Sequence, residues 1–516
     1  MSGDTGQPGA PEGDGRAEPE AHLDDALERV AHGATVSVPS ILAERALTLA
    51  FTALLTNAFA PGAYGAFALA RRFGRYLRRI AMGFGRGLSR YLPTAADPAE
   101  RNALATFAAC LLVAVAAALG AALYLATPAI VSVTGEGALF GRLLRLFALG
   151  LPATAWLFAV VETLRGIEAV GPLNLTVRVG FPAAQLAVGA AGVFLLDDLR
   201  AVALGVVVVM GLVGVLGAAW LVARRGFRPH FGFGDLQRRY LRFTAPLFAG
   251  GLATTTQRLG FYPLIAVFLT SVAGGVFAVG ALVGGLVRLP LMGINQFAPP
   301  VAAALHDADH REALKRFYHV TSRLVLVGTT ALTVLAIVYR ESVMAVFGPA
   351  YAEFAYLLPG FVLAQFGACA AGSVGILLMM TDHQRALLVT NVAITAFLAV
   401  TAVPLVVVFG LPGLVGGYLL MLTVNNGVEV LVLYKLEGLQ PFTKRHLEPL
   451  AAALPMGGVA VVARGALPGA GGVALGATLG ILVYAAVLRF FGFTRPERRL
   501  AATLVERYRA ALPTGL

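Results

Sequence analysis

Residues 61–93 read PGAYGAFALARRFGRYLRRIAMGFGRGLSRYLP, and this stretch decides the fold. Ten mostly apolar residues begin a helix, and arginines then follow at positions 71, 72, 75, 78, 79, 86 and 90. At about 100° per residue, these arginines fall within roughly 120° of the helix circumference. An arginine that faces the centre of a bilayer costs roughly 2.5 to 3.5 kcal/mol. The arginine stripe must therefore face water, anions or headgroups.

Three interpretations of the stripe compete. The helix either lies flat on the membrane with its arginines among the headgroups, or acts as a voltage sensor, or spans the membrane beside a water-filled cavity. A voltage sensor places its charges at every third residue, and these arginines do not follow that spacing. A second copy of the segment later in the chain favours the spanning helix.

The composition is that of a multi-pass membrane protein. Hydrophobic residues make up 58% of the 516 positions and charged residues only 13%, against about a quarter in soluble domains. The net charge of +12 comes from arginines in short loops and in the stripe, so we do not expect nucleic acid as a partner. Cys110 and Cys369 lie far apart within apolar runs, which predicts buried thiols rather than a disulfide or a metal site.

Apolar runs of about 20 residues recur along the chain and predict an all-α integral membrane fold with about 14 transmembrane helices. The predicted spans are 34–59, 62–85, 103–126, 143–163, 173–195, 201–222, 243–269, 274–294, 320–339, 352–379, 386–408, 412–434, 447–464 and 470–488.

Basic residues are concentrated in alternate loops, and this predicts the orientation. One set of loops holds Arg101, the arginines of 224–242, Lys315 and the basic C-terminal tail, whereas the other offers little beyond Arg142, Arg200 and Arg340. The positive-inside rule then places both termini in the cytoplasm of a cell-membrane protein. The acidic segment 1–21 is too polar to bury a core and predicts a disordered tail.

An internal repeat divides the chain. Positions 67, 74, 78, 82 and 83 carry Phe, Gly, Arg, Met and Gly, and the same residues recur 210 positions later. Asp97 and Asp309 each precede a glutamate by three residues, the capping-box spacing that begins a helix. We expect two parallel, pseudo-symmetric six-helix bundles related by an axis along the membrane normal. The predicted parts are a cytoplasmic tail with a short helix at 1–33, a bundle at 34–222, a basic linker at 223–242, a bundle at 243–434, and two extra helices with a basic tail at 435–516.

Several short motifs resemble one family. They are a first helix that bears a proline, Ala60-Pro61-Gly62-Ala63-Tyr64-Gly65, Arg90-Tyr91-Leu92-Pro93 and Phe347-Gly348-Pro349-Ala350-Tyr351. In their order and spacing they resemble the polysaccharide-transporter (Wzx-type flippase) branch of the multidrug/oligosaccharidyl-lipid/polysaccharide (MOP) exporter superfamily. The resemblance covers about residues 23 to 445. It implies a flippase that moves lipid-linked saccharides by alternating access, for surface polysaccharide or glycoprotein glycan assembly. The second helix of that family is mostly apolar, and here it carries the arginine stripe.

Charges within the predicted spans are the candidate functional residues, because intramembrane ionisable groups mark substrate or ion pathways. Arginine outnumbers acid among them, which points to an anionic substrate such as a phosphate or pyrophosphate. The predicted substrate-binding residues are Arg45, Arg71, Arg75, Arg78, Arg79, Arg258 and Arg288. Glu44, Glu162 and Glu429 are candidates for coupling to Na⁺ or H⁺, although each could instead neutralise a neighbouring arginine. We predict no other cofactor, and a monomer.

Other functions fit the sequence less well. A membrane glycosyltransferase or ligase would need a carboxylate pair and a sizeable external loop, and the loops here are short, so we do not predict an enzyme. His306 and His310 are four residues apart, but the capping box accounts for Asp309 and we predict no metal site. A cation-coupled multidrug antiporter would favour an acidic cavity. A lipid II flippase, which also has 14 helices and a basic cavity, is a further alternative.

Overall fold

The computed structural model describes residues 39–495, except 86, 260, 297, 468, together with 497, 498 and 502. The predicted tail at 1–33 lies outside this part of the chain. Within it, the regular structure is helical throughout, and the predicted all-α membrane fold with 14 long helical segments is confirmed.

The first six helices lie on the N-terminal side of the basic linker. They are α1 (Pro39–Ala58), α2 (Pro61–Gly85), α3 (Pro98–Thr134), α4 (Ala138–Leu149 and Leu151–Gly166, bent by 42°), α5 (Gly171–Phe194) and α6 (Leu199–Arg225). Asp97 begins α3, since its side chain accepts a hydrogen bond from the Glu100 N–H at 2.7 Å. The predicted cap at Asp97 is therefore confirmed.

Eight further helices follow the linker. They are α7 (Asp235–Leu259 and Phe261–Phe268), α8 (Ser271–Leu286 and Leu289–Ile294), α9 (Arg311–Val338), α10 (Ala355–Met380), α11 (384–409), α12 (411–437), α13 (Leu447–Ala466) and α14 (Ala470–Phe491). Gly410, with φ of 62° and ψ of −134°, separates α11 from α12. The prediction that Asp309 caps α9 is wrong. Asp309 has a left-handed φ of 55°, and His310 occupies the N-cap position.

Membrane-spanning character is distributed unevenly. Nine of the described helices are long and apolar enough to cross a bilayer, with α11 and α12 counted as one, and the two bent pieces of α4 make ten. The 25 residues of α2 extend roughly 37 Å, enough to span, but its arginines make it too polar for this criterion. Since α2 packs between α4, α7 and α8, it is an internal helix and not one lying flat on a surface.

The repeat is visible in the packing. Phe67 of α2 meets Phe147 of α4 edge to face, with ring centroids 5.6 Å apart, and Phe277 of α8 meets Phe361 of α10 in the same way at 5.3 Å. Gly74 and Gly284 lie beneath the same two phenylalanines, where an added Cβ would be 3.2 Å from Phe147 Cβ and 2.9 Å from the Phe361 carbonyl oxygen. Matching residues of the two copies therefore make matching contacts.

The seventh helix contacts both halves. Its first piece packs on α2, where the Tyr240 hydroxyl donates to the Phe84 carbonyl and Phe248 stacks on Phe84 at 4.7 Å. Its second piece packs among the later helices, with Phe261 5.5 Å from Tyr418. The exact bundle boundaries at 34–222 and 243–434 stay a prediction.

Candidate functional site

A cavity of about 530 Å³ lies between the two halves of the molecule. One wall comes from α1, α2, α4, α5 and α6, and the other from Tyr262 of α7 and Ala278, Ala281 and Leu282 of α8. Ligand pockets typically measure about 300 to 1,000 Å³, so the space is large enough for a small ligand or headgroup.

Arginine dominates the described lining of this cavity. Six arginines line it, against one carboxylate, that of Glu44. They are Arg45, Arg71, Arg72, Arg75, Arg78 and Arg165. The four from α2 fall on one side of the helix, over a length of roughly 10 Å at 1.5 Å per residue.

Neutral side chains hold two of these arginines. Arg71 donates from Nη2 to Gln185 Oε1 at 2.9 Å and lies over the Phe51 ring. Arg72 donates to the Tyr262 hydroxyl at 2.8 Å, and its guanidinium lies 4.3 Å from the centre of that ring. The second contact joins α2 to the opposite wall of the cavity.

Of the four α2 arginines in the cavity, Arg75 and Arg78 are held least by other side chains. Both are half-buried, and the Nε atom of each is buried with no hydrogen-bond partner. Within the described part of the chain, no carboxylate lies within ion-pair distance of Arg71, Arg72, Arg75 or Arg78. The cavity thus holds cations for which the described residues supply no ion-paired carboxylate, which favours an anionic ligand.

The other predicted arginines fall at different places. Arg79 is exposed and lies outside the described lining. Arg288 lies at the break within α8, also outside that lining. The side chain of Arg258 lies outside the described residues.

The three glutamates predicted to couple transport to an ion lie at different places in the structure. Glu44 faces the cavity, whereas Glu162 is buried behind it and forms an ion pair with Arg165. Glu429 lies on α12, where it is 7% exposed and accepts a hydrogen bond from Asn425 Nδ2 at 2.9 Å.

The first turns of α2 and α8 pack together at the Pro61 end of the cavity. A Cβ on Gly65 would lie 1.6 Å from the Ser271 carbonyl oxygen, so the two helices touch backbone to backbone there. The Ser271 hydroxyl donates to the Glu136 carboxylate, and Tyr64 meets Tyr351 edge to face at 6.4 Å. We call the contact of Gly65, Ser271 and Gly275 the α2–α8 seal. Motifs that carried the family resemblance, around Tyr64 and Tyr351, meet beside it.

Some residues that line the cavity were not among the predicted binding residues. Arg72 belonged to the stripe but not to the predicted binding set, and Arg165 was not considered. Tyr262 carries no sequence signal, because a tyrosine within an apolar helix usually packs in the core. Gln185 could have been found, since it is a lone amide within an apolar run.

Comparison with known proteins identifies the fold of this chain. No family model matches the sequence, and no curated protein matches it. Among solved structures, the chain is similar to an inward-facing multidrug resistance MATE family transporter of the MOP superfamily, with a TM-score of 0.68, 15% identity, and coverage of 78% of this chain and 98% of that one. It is also similar to the lipid II flippase MurJ in an inward closed conformation, with a TM-score of 0.72, 12% identity, and coverage of 88% and 97%.

A third similar structure is a MOP superfamily transporter from Pyrococcus furiosus, described as having a binding pocket of reversed polarity that suggests a different function. Its TM-score is 0.56, with 16% identity and coverage of 81% of this chain and 96% of that one. All three structures are of transporters. The chain is therefore a multi-pass membrane protein with the fold of MOP superfamily transporters.

Proposed function

We propose that this protein is a flippase that moves a lipid-linked oligosaccharide across the cell membrane by alternating access, and that its cavity holds the phosphate or pyrophosphate head. The observation that carries the proposal is the set of α2 arginines that line the cavity without carboxylate partners. Arginine suits this role because its planar fork makes paired, charge-assisted bonds to phosphate oxygens and stays charged when partly desolvated.

The size of the cavity fits the head of such a lipid rather than the whole molecule. A volume of about 530 Å³ accommodates a pyrophosphate and its first sugar, while the polyprenyl or acyl tail remains in the bilayer. Arg75 and Arg78 are the residues we assign to the phosphate oxygens, since both face the cavity and keep donors free. Arg71 and Arg45 flank them, and Arg79, Arg258 and Arg288 stay predicted substrate-binding residues.

A multidrug antiporter is the main rival on the same fold. Its cationic substrates would meet six arginines and one glutamate in this cavity, and like charges repel strongly where water is scarce. A lipid II flippase is the second alternative. One observation favours a lipid II flippase: the MurJ structure covers 88% of this chain, whereas the MATE and Pyrococcus structures cover 78% and 81%.

Ligand binding by the purified protein tests the proposal. The probe is a short-chain polyprenyl pyrophosphate, compared with the matching polyprenol, which lacks phosphate. We expect the pyrophosphate to bind and the polyprenol not to bind at the same concentration. Each charge-assisted hydrogen bond contributes roughly 1.5 to 3 kcal/mol, so Arg75→Ala combined with Arg78→Ala lowers the affinity by at least about tenfold.

Arg142→Ala is the matched control, because Arg142 is an exposed arginine on α4 outside the cavity. Unchanged pyrophosphate affinity in the double variant, or tight binding of a lipophilic cation instead, contradicts the proposal. Mass spectrometry of the lipid that co-purifies with the protein then separates lipid II from other lipid-linked saccharides.

A further inference from the structure

A second pocket lies on the outer side of the N-terminal half. It has a volume of about 420 Å³ and is enclosed by α3, α4, α6 and residues 227–231 of the linker that follows α6. Its lining from α4 comprises Trp156, Ala159, Val160 and Thr163, whereas the main cavity is lined by Thr154, Leu157, Phe158 and Val161 of the same helix. At 100° per residue these two sets fall on opposite faces of α4. The second pocket is therefore separate from the arginine cavity.

The shape of the pocket is that of a groove along a helix. It follows α3 from Asn102 to Val113, a stretch of twelve residues that extends roughly 16 Å. Most of the lining is apolar, and the exposed side chains of Cys110 and Val222 mark its open side. A groove of this length and character fits a segment of a hydrocarbon chain.

The polar end of the groove is basic. Arg228 lines it and is exposed, and Arg224 and Arg225 are exposed at the adjacent end of α6. Arg101 supports this end, since its Nη2 donates to the Arg225 carbonyl at 3.1 Å and its guanidinium lies 4.3 Å from the Phe227 ring centre. The described lining contains no aspartate or glutamate.

Asn102 supplies an independent observation. Its side chain is 8% exposed and lines the groove, and its Oδ1 atom is buried with no hydrogen-bond donor. A buried amide oxygen without a partner is destabilising, so a donor from an occupant of the groove would stabilise this site.

The linker packs against the start of α3 beside the groove. The His230 N–H donates to Thr106 Oγ1 at 3.1 Å, and Phe233 meets Phe107 at 5.4 Å, which fold the linker back over the start of α3. Phe231 is nevertheless 81% exposed. A bulky aromatic side chain beside several arginines is typical of the boundary between acyl chains and headgroups.

We infer that this groove binds an anionic phospholipid of the bilayer. One acyl chain lies along α3, the phosphate lies at Arg228, and a hydroxyl of the headgroup or glycerol donates to Asn102. Basic pockets between transmembrane helices at the negatively charged leaflet bind acidic headgroups, and each arginine near the surface contributes about 1 kcal/mol. The inference does not depend on the cargo of the central cavity.

Cys110 provides a native probe for the test. The predicted burial of Cys110 is wrong, because its side chain is exposed within the groove. The predicted burial of Cys369, the other cysteine, is confirmed, and Cys369 serves as an internal reference. The experiment follows alkylation of Cys110 by N-ethylmaleimide in the detergent-solubilised protein, with added phosphatidylglycerol or phosphatidylcholine of identical acyl chains. We expect phosphatidylglycerol to slow alkylation at concentrations at least roughly fivefold lower than phosphatidylcholine.

The variant Arg228→Ala tests the headgroup contact, and its exposed position leaves the fold intact. It should raise the half-protecting concentration of phosphatidylglycerol by roughly fivefold and leave that of phosphatidylcholine unchanged. Arg489→Ala, an exposed arginine at the end of α14, is the control and should change neither. Equal protection by the two lipids would reduce the site to an unselective apolar groove. Absence of protection by both would show that another occupant or none fills it, and either result overturns the inference.

Discussion

Single arginines have different roles in this protein according to what surrounds them. Arg323 on α9 is 2% exposed and contacts two carboxylates, Glu448 at 2.5 Å and Glu497. Arg75, by contrast, is half-buried without a carboxylate. The first arrangement joins α9 to α13 and to the segment after α14, and the second leaves a charge free for a ligand.

The buried cluster should dominate stability among the ion pairs of α9. Removal of Arg323 leaves the buried Glu497 carboxylate and the half-buried Glu448 carboxylate without their partner, and the loss of one partner of a buried ion pair typically costs about 3 to 5 kcal/mol. We therefore expect Arg323→Ala to lower the thermal unfolding midpoint substantially. Arg311→Ala is the matched control on the same helix, because Arg311 is 62% exposed in its pair with Glu437 and such pairs contribute about 0 to 1 kcal/mol. Similar unfolding midpoints for both variants would contradict this assignment.

Glu429 is the residue whose chemistry best fits ion coupling. It is buried, its only described partner is the neutral amide of Asn425, and a buried carboxylate of this kind is stable when protonated or bound to a cation. We expect Glu429→Gln to abolish the dependence of transport on a Na⁺ or H⁺ gradient while pyrophosphate binding stays unchanged. Glu353→Gln, an exposed carboxylate before α10, is the control. Gradient-driven transport at the normal rate in Glu429→Gln would exclude this role.

At the scale of helices, sequence reasoning succeeded where hydrophobicity and repeats carried the signal. It located the long helices of the described chain because each needs about 20 apolar residues, and it identified α2 as internal because α8 repeats it with Arg288 as its one arginine. It failed where tertiary packing decides. The spacing at Asp309 matches that at Asp97, but the chain turns through a left-handed residue before α9. The shift of Arg288 out of the cavity lining follows from the break in α8, which has no counterpart in α2.

The α2–α8 seal predicts that one added methyl group, in Gly65→Ala, changes access to the cavity. Gly65→Ala would place a Cβ 1.6 Å from the Ser271 carbonyl oxygen, which forces the two helices apart at this end. Overpacking costs about 1 to 3 kcal/mol, enough to shift the population toward the state open at this end by about tenfold. The readout is the reaction of a cysteine at position 68, in the Cys110→Ser background, with a thiol reagent supplied from the Pro61 end.

Gly62→Ala is the control for this substitution. Its Cβ would lie 3.7 Å from Val272, an ordinary contact, so labelling at position 68 should not change. If Gly65→Ala leaves that labelling rate at the control level, the contact is not the gate that closes the cavity.

The whole molecule combines a sealed end, a basic cavity and an asymmetric distribution of charge. The linker arginines and the starts of α3 and α9 lie at the end of the molecule opposite the seal, and we propose from the positive-inside rule that this end is cytoplasmic. The closed seal then faces outward. In this orientation the cavity receives its substrate from the cytoplasmic leaflet, where the proposed function requires loading.

Labelling at the loops establishes the orientation. Cysteines introduced at Asp97, Arg239, Asp309 and Thr443 should react with an impermeant reagent in inside-out vesicles and resist it in right-side-out vesicles. Arg239 is the suitable site in the linker, because Gln237 is only 2% exposed and its Oε1 accepts from the Gly234 N–H. Reaction at any of these positions in sealed right-side-out vesicles would reverse or break the proposed topology.

The contact between α2 and α8 also predicts the side from which a soluble reagent reaches the cavity. Arg75 lines the cavity between the α2–α8 seal and the opposite end of α2, so we expect a soluble reagent to reach a cysteine at position 75 from the unsealed side. We expect Arg75→Cys, in the Cys110→Ser background, to react at least about tenfold faster in inside-out than in right-side-out vesicles. Phe73→Cys is the control, since Phe73 lies outside the described cavity lining and packs against Phe140 of α4. Faster labelling of position 75 from outside would mean that the sealed end faces the cytoplasm.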